Sequence, residues 1–302
     1  MADPMTLSVV IPHLNDPAAL ARCLAALAAG TRQADEIVVV DNGSAQLPEA
    51  VCAAYPAVRL LVERTPGPGP ARNSGAAACS GDVLAFTDAD CLPAPGWLAA
   101  VEQAFADSDL CIAGGDVRVG VANPARLDMI EAYESVFGYQ VERYIRDMGF
   151  TITCNLAMRP AVLKAVGPFG GLAIAEDRDW GQRATAMGYR IHYVPQMVVF
   201  HPARRDFGQL ARKWDRHIGH DFAEARDKPG GRLRFLAKTL VMAPSALAEL
   251  PRVLSSDRIA GLSNRAKAFA GLARIRAYRA RKMAWLLAGG DPARLVGAWN
   301  RR

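Results

Sequence analysis

Asp82-Val-Leu-Ala-Phe-Thr-Asp-Ala-Asp90 is the stretch that decides how the chain is read. A short apolar run that stops abruptly at polar residues has the pattern of a strand buried on both faces. Two carboxylates one residue apart follow at its carboxyl end, a pair suited to a hard divalent cation. Taken alone, the same pair fits a turn or a helix N-cap equally well. Outward from it, Leu7–Ile11, Glu36–Asp41 and Val58–Val62 repeat the buried-strand pattern. Asn15-Asp16-Pro17 opens a helix through Ala29, and Gly67-Pro-Gly-Pro70 opens a small-residue helix over Ala71–Cys79. Strands alternating with helices predict an α/β fold with a mostly parallel, Rossmann-like sheet flanked by helices.

Ligands of open parallel sheets bind outside the carboxyl ends of the strands. Three of the early strands end there in polar residues: Pro12-His13-Leu14-Asn15, Asp41-Asn42-Gly43-Ser44 and Asp88-Ala89-Asp90. The Gly67–Gly75 segment matches neither a dinucleotide fingerprint nor a P-loop. Its helix start still offers amides to an anion, and Arg72 offers a cation for a base or phosphate. Further on, the pattern predicts a helix at Trp97–Ala106 and a strand at Leu110–Val119 broken by Gly114-Gly115. A long helical stretch is expected at Pro124–Asp147, a strand at Thr151–Met158 and a helix at Glu176–Met187. Arg190–His201 reads as two short strands around Pro195. Three helical segments are expected after Asp206, with no strand.

The 302 residues are 51% hydrophobic and carry a net charge of +6, which excludes disorder over most of the chain. Residues 1–203 hold 14 Lys/Arg against 22 Asp/Glu, whereas 204–302 hold 22 against 8, a net +14. Six scattered cysteines without a CxxC pair read as buried, reduced thiols. The start of the chain has no basic region of a signal peptide, and the longest apolar candidate, Phe235–Leu250, is broken by Lys238, Pro244 and Glu249. The expected location is therefore cytoplasmic, with a peripheral place on the inner face of the membrane left open. Leu233, Leu236, Leu240, Leu247, Leu250 and Leu254 recur at helical spacing, a stripe that either packs on the α/β domain or docks on an anionic membrane.

Several motifs occur in a fixed order. Ser8-Val-Val-Ile-Pro12, Val38-Val-Val-Asp41-Asn42-Gly43-Ser44, Ala71-Arg72-Asn73-x-Gly75 and Phe86-Thr-Asp88-Ala-Asp90 are followed by Asn155-Leu-Ala-Met-Arg159, Val166-Gly167-Pro-Phe169 and Ala175-Glu176-Asp177-x-Asp179-Trp180. Together they resemble the family 2 glycosyltransferases of the GT-A fold, over about residues 6–203. The resemblance implies a metal-dependent, inverting transfer of one sugar from a nucleotide-sugar donor, UDP-linked, to a hydroxyl acceptor in surface glycan or glycolipid synthesis. It implies nucleotide binding by Pro12, His13, Asn15, Asp41, Arg72 and Asp88, with Asp41 on the nucleobase and Arg72 beside it. Mn²⁺ or Mg²⁺ would be held by Asp88 and Asp90, with His201 as a further ligand. Asp177, paired with Glu176, would be the catalytic base, and Gly115 and Asn155 would line the donor sugar or acceptor.

The implied organisation is a catalytic domain at 1–203, with a nucleotide-binding half to about 119 and an acceptor half over 120–203, then a basic helical extension at 204–302. Gln209-Leu-Ala-Arg212-Lys-Trp214 departs by one residue from the QxxRW motif of processive members, which favours a single transfer. Two other readings remain open at this point. A sugar-phosphate nucleotidyltransferase would carry a Gly-rich, basic loop where Pro12–Asn15 stands. A non-catalytic membrane adaptor or RNA-binding protein would use the basic tail, although no RNA-recognition signature is present and no nucleic-acid partner is expected.

Overall fold

The structure is a computed structural model that describes residues 5–172 and 174–296. Its chain divides into two compact units, Met1–Gly120 with Gln140–Pro202, and Val121–Tyr139 with the chain from Ala203 onward.

The first unit begins as the alternation predicts, with β1 (Leu7–His13), α1 (Pro17–Ala28), β2 (Glu36–Asp41), α2 (Glu49–Ala53), β3 (Val58–Val62), α3 (Pro68–Ala78) and β4 (Val83–Phe86). Asp16 caps α1 by accepting from the Ala19 amide at 2.9 Å, and Pro17 takes the first turn, where its missing N–H costs nothing. Helix α3 is built of small residues because it lies directly on the sheet. A Cβ on Gly75 would stand 2.5 Å from Val10 Cγ1.

After β4 come β5 (Leu92–Pro93), α4 (Trp97–Phe105) and β6 (Ile112–Gly120). Helix α5 (Met129–Phe137) follows and belongs to the second unit. The chain returns to the first unit for α6 (Val141–Met148), β7 (Leu156–Met158), α7 (Pro160–Val166), α8 (Glu176–Ala186) and β8 (Ile191–Pro202).

The described strands form one eight-stranded sheet in the order β3-β2-β1-β4-β7-β6-β8-β5. β3, β2, β1 and β4 are mutually parallel. β7 then runs antiparallel to both β4 and β6, and β8 runs parallel to β6. β6 and β8 therefore point the same way as β4, and the carboxyl ends of β1, β2, β4 and β8 share one edge. Val10, Leu84, Phe86, Ile112, Leu156, Met158 and Trp180 form the core beneath it.

Several local expectations change. β8 is one strand, Ile191–Pro202, but its pairing with β6 breaks at Pro195: the register steps from Gly115–Val194 to Asp116–Val198, so Pro195, Gln196 and Met197 have no partner on β6. Thr151–Met158 yields only three strand residues after a 3₁₀ turn at Thr153–Asn155. The long helical stretch at 124–147 is two helices, and Val121–Tyr139 groups with the second unit instead of an acceptor half. The reason is in its apolar residues: Leu127, Ala132 and Val136 are buried with Val253, Ile259 and Ala268.

The second unit continues with α9 (Phe207–Arg226), α10 (Gly231–Met242), a 3₁₀ turn (Pro244–Glu249), α11 (Leu250–Ser255), α12 (Leu262–Leu287) and α13 (Ala293–Val296), more segments than the three expected. Ile218, Phe222, Phe235, Met242, Met283 and Leu286 form one of its cores. Among the described residues no helix is long and apolar enough to cross a membrane. All six cysteines are free; Cys23, Cys52, Cys91 and Cys154 are buried as expected, whereas Cys79 and Cys111 are half-buried.

Candidate active site

Strand pairing assembles the acidic centre. Two residues beyond Asp90, β5 pairs antiparallel with β8, Leu92 against Phe200 and Pro93 against Val199. Continuing that register sets Cys91 opposite His201. Side-chain donor atoms of Asp88, Asp90, Cys91 and His201 consequently lie within 4.8 Å of one another. His201 Nδ1 lies 2.9 Å from the Pro202 carbonyl oxygen, which can only accept, so Nδ1 donates there; Nε2 lies 4.0 Å from Asp90 Oδ1. Burial raises the Asp90 carboxyl above the usual range against the opposing pull of His201, and Asp88 raises it further. Cys91 is not a ligand of the same kind. Its hydrogen bond with Cys154 and its burial push the thiol well up, and metals take the thiolate. Two carboxylates and one imidazole remain, a donor set that fits Mn²⁺ or Mg²⁺.

Arg72 joins this centre to the second acidic motif. From the buried face of α3 its Nη2 donates to Asp88 Oδ1 at 2.6 Å and its Nη1 to Glu176 Oε1 at 3.0 Å. The side chain is 3% exposed, and its Nε has no partner among the described residues. Burial opposes the charge on the guanidinium, but the two carboxylates outweigh it and hold the pKa above its ordinary value. Arg72, expected beside a nucleobase, is thus enclosed here and bonded to two carboxylates.

Glu176, Asp177 and Asp179 open α8, where the first turn favours negative charge. Glu176 is committed to Arg72. Asp177 has no salt bridge among the described residues; its carboxylate accepts from the Arg178 amide at 2.7 Å. Burial, and then the neighbouring Glu176, raise its pKa above the ordinary carboxylate value, against the Arg178 amide, the Arg72 charge and its own amide, which pull it down. A carboxyl tuned upward without a cationic partner has the character of a general base.

His13 and Asp41 are both buried, with His13 Nδ1 3.0 Å from Asp41 Oδ2. Asp41 Oδ1 also accepts from the Gly43 and Ser44 amides at 3.1 and 2.9 Å. Burial pushes this carboxyl up, but hydrogen bonds from Ser44, His13 and Gly43 prevail and hold it below the usual value. Asp41 thus shapes the 41–44 turn and orients His13, whose Nε2 is buried without a partner among the described residues. Asn15 is exposed in the left-handed region (φ 55°); its side chain accepts from the Ala45 amide at 2.9 Å, closing the rim beside a half-buried Pro12.

Gly115 and Asn155, expected to line the donor sugar or acceptor, are packed inside the first unit. Asn155 is fully buried: it accepts from Trp97 Nε1 at 2.8 Å and donates to the carbonyls of Asp116 and Met197 at 2.9 and 2.7 Å. A Cβ on Gly115 would come within 2.3 Å of the Met197 oxygen and 2.4 Å of Asn155 Nδ2. These two residues clamp the β6–β8 irregularity, and nothing on Asn155 is left to offer a sugar. At the start of α3 the backbone packs closely on the 169–170 loop: a Cβ on Gly69 would meet the Gly170 carbonyl oxygen at 1.9 Å. Asn73 fastens that loop through paired bonds with the Phe169 backbone, both 2.9 Å.

Residues 8–167, more than half of the chain, match the family described as Glycosyl transferase family 2. The chain belongs to that family. Glycosyltransferase AglE of Haloferax volcanii is 33% identical over 214 residues, covering 68% of this chain and 69% of that protein. Among solved structures, the mannosyltransferase PcManGT from Pyrobaculum calidifontis, in complex with GDP-Man and Mn²⁺, aligns over 95% of this chain and 88% of its own, at 20% identity and a TM-score of 0.59. Glucosyl-3-phosphoglycerate synthase from Mycobacterium tuberculosis, in complex with Mn²⁺, UDP and phosphoglyceric acid, aligns over 71% and 76% at 20% identity and a TM-score of 0.51.

This family 2 glycosyltransferase therefore has the GT-A fold, and the nucleotidyltransferase and adaptor readings give way to a nucleotide-sugar glycosyltransferase. Sequence reading missed Cys91 at the acidic centre and Trp97 beneath Asn155. Neither carries a local signal; only the β5–β8 pairing and the side-chain packing reveal them.

Proposed function

We propose that the first unit transfers one sugar, with inversion, from a UDP-linked donor to an acceptor hydroxyl, using a divalent cation. The observation that carries this reading is the convergence of Asp88, Asp90 and His201 donor atoms within 4.8 Å, tied through Arg72 to the turn that bears Asp177. Mn²⁺ or Mg²⁺ held by these three side chains would neutralise the charge that develops on the departing nucleoside diphosphate. Asp177 takes the proton from the acceptor hydroxyl. Its oxygen attacks the anomeric carbon, the bond to the diphosphate oxygen breaks with its electron pair, and configuration inverts. Arg72 is a positioning residue that fixes Asp88 and Glu176 relative to one another.

Pro12, His13 and Asn15 form the candidate rim of the nucleoside pocket, with Asp41 setting the His13 ring. The two solved relatives hold different nucleotides, GDP-mannose and UDP, so UDP rests on the family resemblance. The same resemblance supports a glycan or lipid-linked acceptor in surface glycan or glycolipid synthesis. A donor screen with Mn²⁺ tests the assignment. UDP-sugars should raise the melting temperature and be consumed on acceptor addition, whereas stabilisation by GDP-sugars alone would move the donor class.

A further inference from the structure

Helix α10 is apolar on two opposite faces. Phe235 and Met242 turn inward with Gly231 and Thr239, packing with Ile218, Phe222, Met283 and Leu286. Half a turn round, Leu233, Leu236 and Leu240 recur at helical spacing with Val241 beside them, and all four are exposed. Leu233 and Leu240 show 71% and 70% of their surface. The exposure continues along the chain at Leu247 (67%), Leu250 and Leu254, while Ala246 and Val253 take the inward places. The leucine stripe read from the sequence is thus the outer face of its segment. Such a concentration of large apolar side chains in water is unusual for a surface without a partner.

The surrounding charge selects the partner. On the helical wheel Arg232 and Arg234 bracket the leucine stripe from its two sides; both are exposed and neither has an ion-pair partner among the described residues. Cations of α12 are employed differently. Arg276 pairs with Glu249 at 2.9 Å, Arg279 lies over the Trp214 ring at 3.7 Å and Arg274 over Phe207 at 4.1 Å. Part of the positive excess of the tail is thus used inside the helical unit, whereas Arg232 and Arg234 stand beside exposed leucine.

We propose that α10, continued by the 247–254 segment, is a docking surface for an anionic lipid bilayer. Leucines enter the acyl boundary, and Arg232 and Arg234 meet lipid phosphates. A second copy of the chain fits this face less well, because α10 carries cations and no carboxylate to meet those of a partner helix. The inference goes beyond the transfer reaction and does not rest on it.

Flotation of the full chain with phosphatidylcholine vesicles, with and without phosphatidylglycerol and without any nucleotide sugar, tests it. The chain should float with the anionic vesicles, less so at high salt. The double variant Leu233→Glu/Leu240→Glu should bind about tenfold more weakly or worse, and Arg232→Gln/Arg234→Gln should lose most of the preference for anionic lipid. These side chains are exposed, so unchanged melting temperatures will separate lost docking from misfolding. Leu247→Glu serves as a further variant if the pair does not fold. Three results would overturn the proposal: no flotation of the wild type, equal flotation of wild type and leucine variants, or a wild-type dimer that Leu233→Glu converts to monomer. None depends on donor identity.

Discussion

Arg72 Nη1 donates to Glu176 Oε1 at 3.0 Å across 104 residues of chain, and the same guanidinium holds Asp88. One buried cation thereby fixes the acidic motif after β4 relative to the one that opens α8.

Replacing Arg72 with Gln should cost about 3 kcal/mol of stability, because two half-buried carboxylates lose their counter-charge. Urea unfolding measures it. Arg72→Lys should recover only part of the loss, since a single ammonium lacks the planar fork that reaches both partners. Full stability of the Gln variant would remove Arg72 from its positioning role.

Asp177→Asn should lower turnover by about a hundred- to ten-thousandfold while nucleotide binding stays nearly unchanged, as expected when only a general base is lost. Single-turnover assays and a thermal-shift titration of nucleotide separate the two effects. Wild-type turnover in the variant would displace the base from Asp177.

Stability should respond to the same substitution with a defined sign. Asp177 is raised in the folded state, so it favours folding below its ordinary value of 3.8, and that contribution is lost as pH rises through the folded value. Asp177→Asn should therefore melt higher than wild type at neutral pH, with the gain vanishing in acid. Asp41 has the opposite sign: held below 3.8, it stabilises the fold above that value and loses the contribution as pH falls. Melting curves across the acid range test both.

Asp90→Ala and His201→Ala should each weaken Mn²⁺ binding, the histidine variant by about ten- to a hundredfold, and activity should fall in parallel. Calorimetric titration of the ion, without donor, reads the site directly. Chelator-resistant turnover of the wild type would contradict a metal-dependent reaction.

Gly115→Ala should destabilise the first unit by about 2 kcal/mol or more, because its Cβ meets backbone oxygen at 2.3 Å as well as the Asn155 amide. Asn155→Ala should be comparably damaging, leaving Trp97 Nε1 and two carbonyls unpaired. Thermal melting checks both. Retained stability with altered donor preference would return these residues to a ligand-binding role.

What the sequence determined by itself is local and periodic. Apolar runs closing on polar residues at Asn15, Asp41 and Asp88 marked the strands and the edge where chemistry gathers, since burial and chain direction are written in short patterns. The ordered motifs carried the family, and with it the reading of Asp88 and Asp90 as a candidate cation pair. Tertiary structure decided the side-chain roles, which depend on neighbours distant in sequence. The β5–β8 register brought His201 to Asp90. Arg72 faced two carboxylates, and Asn155 bonded Trp97 and two carbonyls. The leucine stripe shows the division most plainly: helical periodicity fixes that a face exists, but only the competing burial of Phe235 and Met242 decides that this face turns to the outside.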